Sequence, residues 1–60
     1  MRILEAAETL IAKKGFDAVS IRDIAREAGV QSSTIYYYYR NKNGVFKGIL
    51  ETAMSELNEL

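Results

Sequence analysis

Residues 32–42, SSTIYYYYRNK, place seven hydroxyl-bearing side chains in eight positions and follow them with Arg40 and Lys42. Hydroxyls both donate and accept hydrogen bonds, while guanidinium and ammonium groups only donate. Such a set suits an acceptor-rich anionic surface, phosphate oxygens and base edges above all. It does not suit catalysis. The chain has no His and no Cys, no glycine-rich phosphate loop, and carboxylates that are dispersed at solvent-facing positions. The expectation is a binding domain with no cofactor and no metal, not an enzyme.

At 60 residues the chain bounds one domain, and one of this size buries only about 60% of the surface its unfolded form exposes. Neither disulfide nor zinc is available to staple it, so well-packed helices or a partner must hold it together. The lack of Cys fits a reducing cytoplasm. No segment is apolar and long enough to span a bilayer, and Glu5 and Glu8 interrupt what would otherwise be a signal-peptide core. Eight basic and eight acidic residues cancel overall. The layout is uneven: residues 20–42 carry four basic against two acidic side chains, a net of +2, and residues 43–60 one against three, a net of −2.

The elements that must position the hydroxyl cluster read as helices. In residues 2–14, Ile3, Leu4, Ala7, Leu10 and Ile11 form one apolar stripe. Lys13 and Lys14 suit the C-terminal end of the helix dipole, and Gly15-Phe16 has the form of a Schellman cap. A second helix of about eight residues opens at Ser20, with Asp23 completing a capping box and Val19 and Ile24 spaced as a hydrophobic staple. Ile21, Ile24, Ala25 and Ala28 are its buried stripe, and Gly29-Val30 is its stop. Gln31 or Ser32 caps a third helix over about 32–38. Tyrosine also favours strands, but no other segment alternates with period two to pair with one. Asn41 caps a fourth helix whose stripe runs Val45, Phe46, Ile49, Leu50, Ala53, Met54, Leu57 and Leu60. Gly44 and Gly48 lower its propensity, so packing must hold it, and its apolar end implies burial against something outside these residues.

Four successive residues on a helix, about 100° apart, cannot share one face. Ile35 and Tyr39 fit the core, so one or two of Tyr36, Tyr37 and Tyr38 must be exposed; the alternative is that all four fill core and edge. Two short helices joined by a tight glycine turn, with hydroxyls opening the second, make a helix-turn-helix pattern. A B-DNA major groove admits one helix, while the preceding helix crosses the backbone. Ser32 and Ser33 allow close approach. Arg22 can reach a base or phosphate, and Arg26, one turn on, fits a surface ion pair. Ser20 can cap its helix and direct backbone N–H groups at a phosphate. Lys42 opposes the helix dipole at the start of the fourth helix, a mild cost that a nearby phosphate would explain.

These residues resemble the N-terminal DNA-binding domain of TetR-family transcriptional repressors. The resemblance covers ILEAAETLIAKKGFDAVSIRDIAREAGVQSSTIYYYYRNKNGVF. It is most specific at Lys14-Gly15-Phe16, residues 20–25, Ala28-Gly29-Val30, Thr34-Ile35-Tyr36 with Tyr39, and Asn41-Lys42. It implies an all-α fold: a three-helix, homeodomain-like helix-turn-helix bundle over residues 1–47, then a fourth helix continuing through 48–60 toward a ligand-binding and dimerisation domain that this stretch lacks. By the same resemblance Thr34, Tyr36, Tyr38 and Lys42 match positions that commonly meet the DNA backbone. Tyr36 sometimes touches bases, Ser32 and Ser33 fall where base readers vary, and Arg22 matches a position that reaches bases or phosphates. Tyr39 stands where a buried Phe is usual. Gln31 departs from a typical Ser cap, Asn43 and Gly44 from an acidic pair, and the tyrosine run is heavier than usual.

The implied function is a cytoplasmic, nucleoid-associated homodimer that reads a palindromic double-stranded DNA operator with half-sites about 34–36 Å apart. Its small-molecule effector would bind only the missing domain, and no membrane is involved. Ser20, Arg22, Ser32, Ser33, Thr34, Tyr36, Tyr37, Tyr38 and Lys42 are the expected DNA contacts, with Ser33 and Tyr37 expected to set operator preference. The rival reading is a small helical protein-interaction module whose patch is the tyrosines and the Leu57/Leu60 end.

Overall fold

The computed structural model describes residues 2–58, with side chains placed as far as Met54. Helices α1 (Ile3–Lys14), α2 (Ile21–Ala28), α3 (Ser32–Tyr39) and α4 (Lys42–Asn58) follow one another, and among the described residues there is no strand. The third segment is thus helical, as the lack of a strand partner dictates. α1 packs against both α2 and α4, α2 against α3, and α3 against α4.

The core is small and aliphatic. Ile24, Ile35, Val19 and Val45 are fully enclosed, and Ile3, Ala6, Ala7 and Leu10 of α1 close over them with Ile21 and Ala25 of α2. Ala6 joins the α1 face expected from the stripe, while Leu4, Ile11 and Ala28 lie at its margin, partly buried. Among the described side chains of α4 only Val45 is fully inside. Phe46, Leu50 and Met54 are 37%, 48% and 63% exposed, so the expected α4 stripe is mostly uncovered along the described residues. The Leu57 side chain and Leu60 lie outside the described residues.

The start of α2 follows its sequence signal. Ser20 Oγ accepts the Asp23 N–H at 3.1 Å and the Asp23 carboxylate accepts the Ser20 N–H at 3.0 Å, a reciprocal capping box. At the other end Gly29 is left-handed (φ 73°, ψ 30°). Its N–H donates to Arg26 O at 3.3 Å and the Val30 N–H to Ala25 O at 3.0 Å, the two bonds of a Schellman motif, with Val30 packed against the core.

The end of α1 differs from expectation. Gly15 sits at φ 86°, ψ 155°, which is not the left-handed cap conformation, and its N–H still donates to Ile11 O at 2.8 Å. The chain then turns through a short 3-10 helix, Phe16–Ala18, instead of folding Phe16 back onto the last turn. That path delivers Val19 to the core, at 2% exposure, and leaves Ser20 extended for its capping role.

Asn41 caps α4 as its residue type suggests, its Oδ1 accepting the Gly44 N–H at 2.8 Å. Between α3 and α4 lies a turn with no obvious signal in the sequence. Arg40, the only non-glycine residue at positive φ among those described, adopts φ 66°, ψ −52°. The Asn41 N–H donates to Tyr39 O at 2.6 Å. This is the rare positive-φ form of the γ-turn, a conformation costing on the order of 1–3 kcal/mol.

The capping box yields a pH prediction. The backbone N–H of Ser20, then its hydroxyl, and more weakly the charges of Lys14 and Arg26 hold the Asp23 pKa below 3.8. A carboxyl depressed on folding adds stability above its unfolded pKa and loses it as pH falls through the folded value. Asp23→Asn is therefore expected to be less stable than the parent in urea unfolding near neutrality. The two should converge as the pH drops below the ordinary carboxylate range; a gap that persists in acid would contradict the ionic part of the cap. Ser20→Ala should cost about 1 kcal/mol.

Candidate nucleic-acid interface

α3 shows one fully buried side chain, Ile35 at 0% exposure. With successive side chains about 100° apart, Ser33 and Tyr37 fall opposite Ile35, Tyr36 on one flank, and Thr34 and Tyr38 on the other. The exposures follow this wheel: Tyr37 is 83% exposed, Tyr36 52% and Tyr38 56%. Ser33 is exposed, and Ser32 and Thr34 are half-buried. Tyr39, one turn beyond Ile35, is partly buried against the core. The tyrosine run thus divides into one inner ring and three outer ones, and Ser33 with Tyr37 forms the crest.

The outer rings support one another. Tyr37 and Tyr38 meet edge to face, centroids 5.1 Å apart at 83°, and Tyr38 and Tyr39 lie 6.3 Å apart. Such pairs add a little rigidity beyond burial. No side chain caps the start of α3: Gln31 is the extended residue before it and makes no cap bond, while the Ser33 hydroxyl approaches the Gln31 side chain only at 3.5 Å. The Thr34 N–H is satisfied by Gln31 O at 3.0 Å.

Ser20, Tyr36 and Lys42 line one shallow depression together with Asp17 and Asn41. Three expected contact residues from three different elements therefore converge beside the flank of α3 that carries Tyr36. Tyr38 does not join them: it lines a separate depression with Arg2, Leu4, Tyr39 and Thr52, on the α1 and α4 side. At Ser20 the capping box engages both its own N–H and that of Asp23. With the Ser20 hydroxyl also turned to the Asp23 carboxylate, this leaves the Ile21 and Arg22 N–H groups to meet an anion. Arg22 is exposed.

Lys42 has an internal partner that its sequence context did not reveal. Its Nζ donates to Phe16 O at 2.8 Å and lies 4.3 Å from the centre of the Phe16 ring. The ring in turn packs on Phe46, centroids 5.2 Å apart. Placing a cation at the first residue of α4 opposes the helix dipole; this hydrogen bond and cation–π contact offset that cost without a phosphate. An ammonium has three N–H donors, so two remain for an outside acceptor. Phe16 belongs to the site as the group that orients Lys42. The two are 26 residues apart, and no local pattern signals the contact.

The expectation for Arg26 fails. Among the described residues Arg2 and Glu5 form the one ion pair, at 3.9 Å. Arg26 lies near Asp23 and Glu27 around a common depression without reaching ion-pair distance, because the Asp23 carboxylate is already directed at the Ser20 N–H. Arg22, Arg26, Arg40 and Lys42 thus stay unneutralised by ion pairs among the described residues.

The profile of the bacterial regulatory proteins of the tetR family matches residues 3–49. The chain belongs to the tetR family. The curated proteins it resembles are named as regulators. The HTH-type transcriptional regulator YfiR of Bacillus subtilis, itself uncharacterised, is 35% identical over 54 residues, 90% of this chain and 26% of YfiR. The fatty acid metabolism regulator protein of Bacillus subtilis is 34% identical over 59 residues, 98% of this chain and 30% of that protein. The biofilm operon icaADBC HTH-type negative transcriptional regulator IcaR of Staphylococcus epidermidis is 28% identical over 54 residues, 90% of this chain and 29% of IcaR. The chain therefore spans less than a third of the length of these relatives. No solved structure matches it significantly. Within the tetR family this stretch is a helix-turn-helix DNA-binding regulatory domain.

The division of the tyrosines is checkable by chemical modification. Under limiting nitration Tyr37 should react first and Tyr39 last, read by peptide mapping; equal labelling of the two would contradict the orientation of α3.

Proposed function

We propose that this tetR-family domain reads a specific operator by laying α3 in the major groove. The exposed crest of Ser33 and Tyr37 would face base edges, while Ser32, Thr34, Tyr36, Tyr38, Arg22, Ser20 and Lys42 would meet the backbone or flanking bases. The observation that carries the reading is the placement of Ser33 and Tyr37 directly opposite the one buried α3 residue, Ile35, with Tyr37 83% exposed. A helix held inward by Ile35 and part of Tyr39 can present its opposite face to a groove. The uncapped start of α3 leaves backbone N–H groups for phosphate.

In this reading residues 1–47 are the DNA-binding unit. Residues 48–60 continue α4 into a further domain that dimerises and binds a small effector, so that two copies read a palindrome with half-sites about 34–36 Å apart. The uncovered face of Phe46, Leu50 and Met54 is what such a junction requires. Among the described residues no helix is long and apolar enough to cross a membrane. A cytoplasmic, nucleoid-associated protein acting as a repressor is the setting that fits, and IcaR is named as a negative regulator.

Selection of bound sequences from a random duplex pool by the full-length protein should converge on a palindrome; recovery of unenriched sequences would overturn the reading. Lys42→Ala should weaken binding to every sequence alike and reduce the slope of log affinity against log salt by about 1. The milder Lys42→Arg should retain the slope. Tyr37→Ala should instead cost about 1–3 kcal/mol at the preferred operator and relax its sequence preference. A uniform loss over all sequences would remove Tyr37 from base reading.

A further inference from the structure

The two glycines of α4 lie one turn apart, and each faces the same residue of α3. A Cβ added at Gly44 would collide with the Tyr39 carbonyl oxygen and come within 3.1 Å of its carbon. A Cβ added at Gly48 would come within 3.2 Å of Tyr39 Cε1 and of Leu4 Cδ2. Tyr39 therefore rests on α4 twice, by its backbone over Gly44 and by its ring over Gly48, with Leu4 of α1 closing the far side. The strained γ-turn sits at this joint: the Tyr39 carbonyl that crowds Gly44 also accepts the Asn41 N–H at 2.6 Å, across Arg40 at φ 66°.

In helical terms both glycines are unfavourable, and neither has a positive φ that would require glycine. The close approach is what requires them in this chain, which by the family resemblance departs at Gly44 from a usual acidic residue. The Gly44 contact is with backbone, which can yield only by moving the end of α3. The Gly48 contacts are with the ends of side chains, which can yield by a few tenths of an ångström.

We propose that Gly44 and Gly48 are positioning residues for DNA recognition: together they form a seat on α4 that takes Tyr39 and so fixes the angle at which α3 meets the groove. This rests on the DNA-reading role given above for α3. The seat governs base readout in particular. Ser33 and Tyr37 ride on α3 with the hydroxyl contacts, whereas the cations Arg22 and Lys42 sit on α2 and α4, Lys42 held there by Phe16, so tilting α3 moves the base readers relative to the charged phosphate contacts.

The test uses the full-length protein, an operator duplex obtained by selection and a scrambled duplex of the same length. Gly44→Ala should keep wild-type helix content by circular dichroism. It should lose about tenfold or more at the operator, the scale of a mispaired contact, while affinity for the scrambled duplex stays within about twofold, because counterion release at the phosphates persists. Gly48→Ala should give a smaller loss of the same kind. A merely destabilising substitution lowers both affinities in parallel, so a parallel fall overturns the proposal, as does an unchanged operator affinity. If Gly44→Ala fails to fold, Gly48→Val decides: bulk against the Tyr39 ring should lower the ratio of operator to scrambled affinity several-fold, and an unchanged ratio overturns the seat. Failure of the wild-type protein to distinguish the two duplexes would instead sink the DNA-reading role itself.

Discussion

A helix that enters a groove can spare little of its surface for its own core. α3 spares Ile35, which is fully enclosed, and part of Tyr39. Burying an isoleucine is worth about 1.5–3 kcal/mol, which cannot by itself order eight residues when fixing each backbone costs on the order of 1–2 kcal/mol. The orientation of α3 must then come from its two ends. At the first, the Schellman turn at Gly29 docks Val30 on the core and sends the chain away from α2. At the second, the Tyr39 carbonyl and ring lie close over Gly44 and Gly48. The strain at Arg40 belongs to this second joint, where only Arg40 and Asn41 separate α3 from α4 and leave no room for a wider loop.

The electrostatics follow the same economy. A domain of net charge zero gains nothing from a broad positive field, so attraction to a polyanion has to come from a few groups placed well. Lys42 is placed by Phe16, whose carbonyl and ring fix the ammonium at the rim of the depression shared with Ser20 and Tyr36. Phe46 braces Phe16 from α4. The capping box of α2 works against this locally, since it places the Asp23 carboxylate at a helix start that would otherwise favour an anion. On the proposed reading, phosphate contact near α2 falls to Arg22 and the remaining N–H groups.

What the sequence made legible was local. The capping box at Ser20 and Asp23, the Schellman stop at Gly29 and the Asn41 cap each have both partners within a few residues, so residue type and spacing determine them. The inner position of Ile35 and the spread of Tyr36, Tyr37 and Tyr38 over the other sides follow from helical geometry; that all three are exposed, where one or two were expected, does not. What stayed hidden depends on tertiary contact. The 3-10 turn at Phe16 follows from where Val19 must go, and the Lys42 bond spans 26 residues. Gly44 and Gly48 read in sequence as weak helix formers, because their value lies in a neighbour that approaches from another helix. The positive φ of Arg40 has no signature, since arginine is not a residue that favours it.

The central claim is that the outer face of α3, with the Ser20–Lys42 rim beside it, is the surface that meets DNA. Backbone amide resonances recorded while an operator duplex is titrated into the isotopically labelled full-length protein test it most directly. The account predicts that the largest shifts fall at residues 20–22, 32–38 and 42, with α1 and the Phe46–Met54 face of α4 little changed. Shifts concentrated on that α4 face, with α3 unmoved, would contradict it.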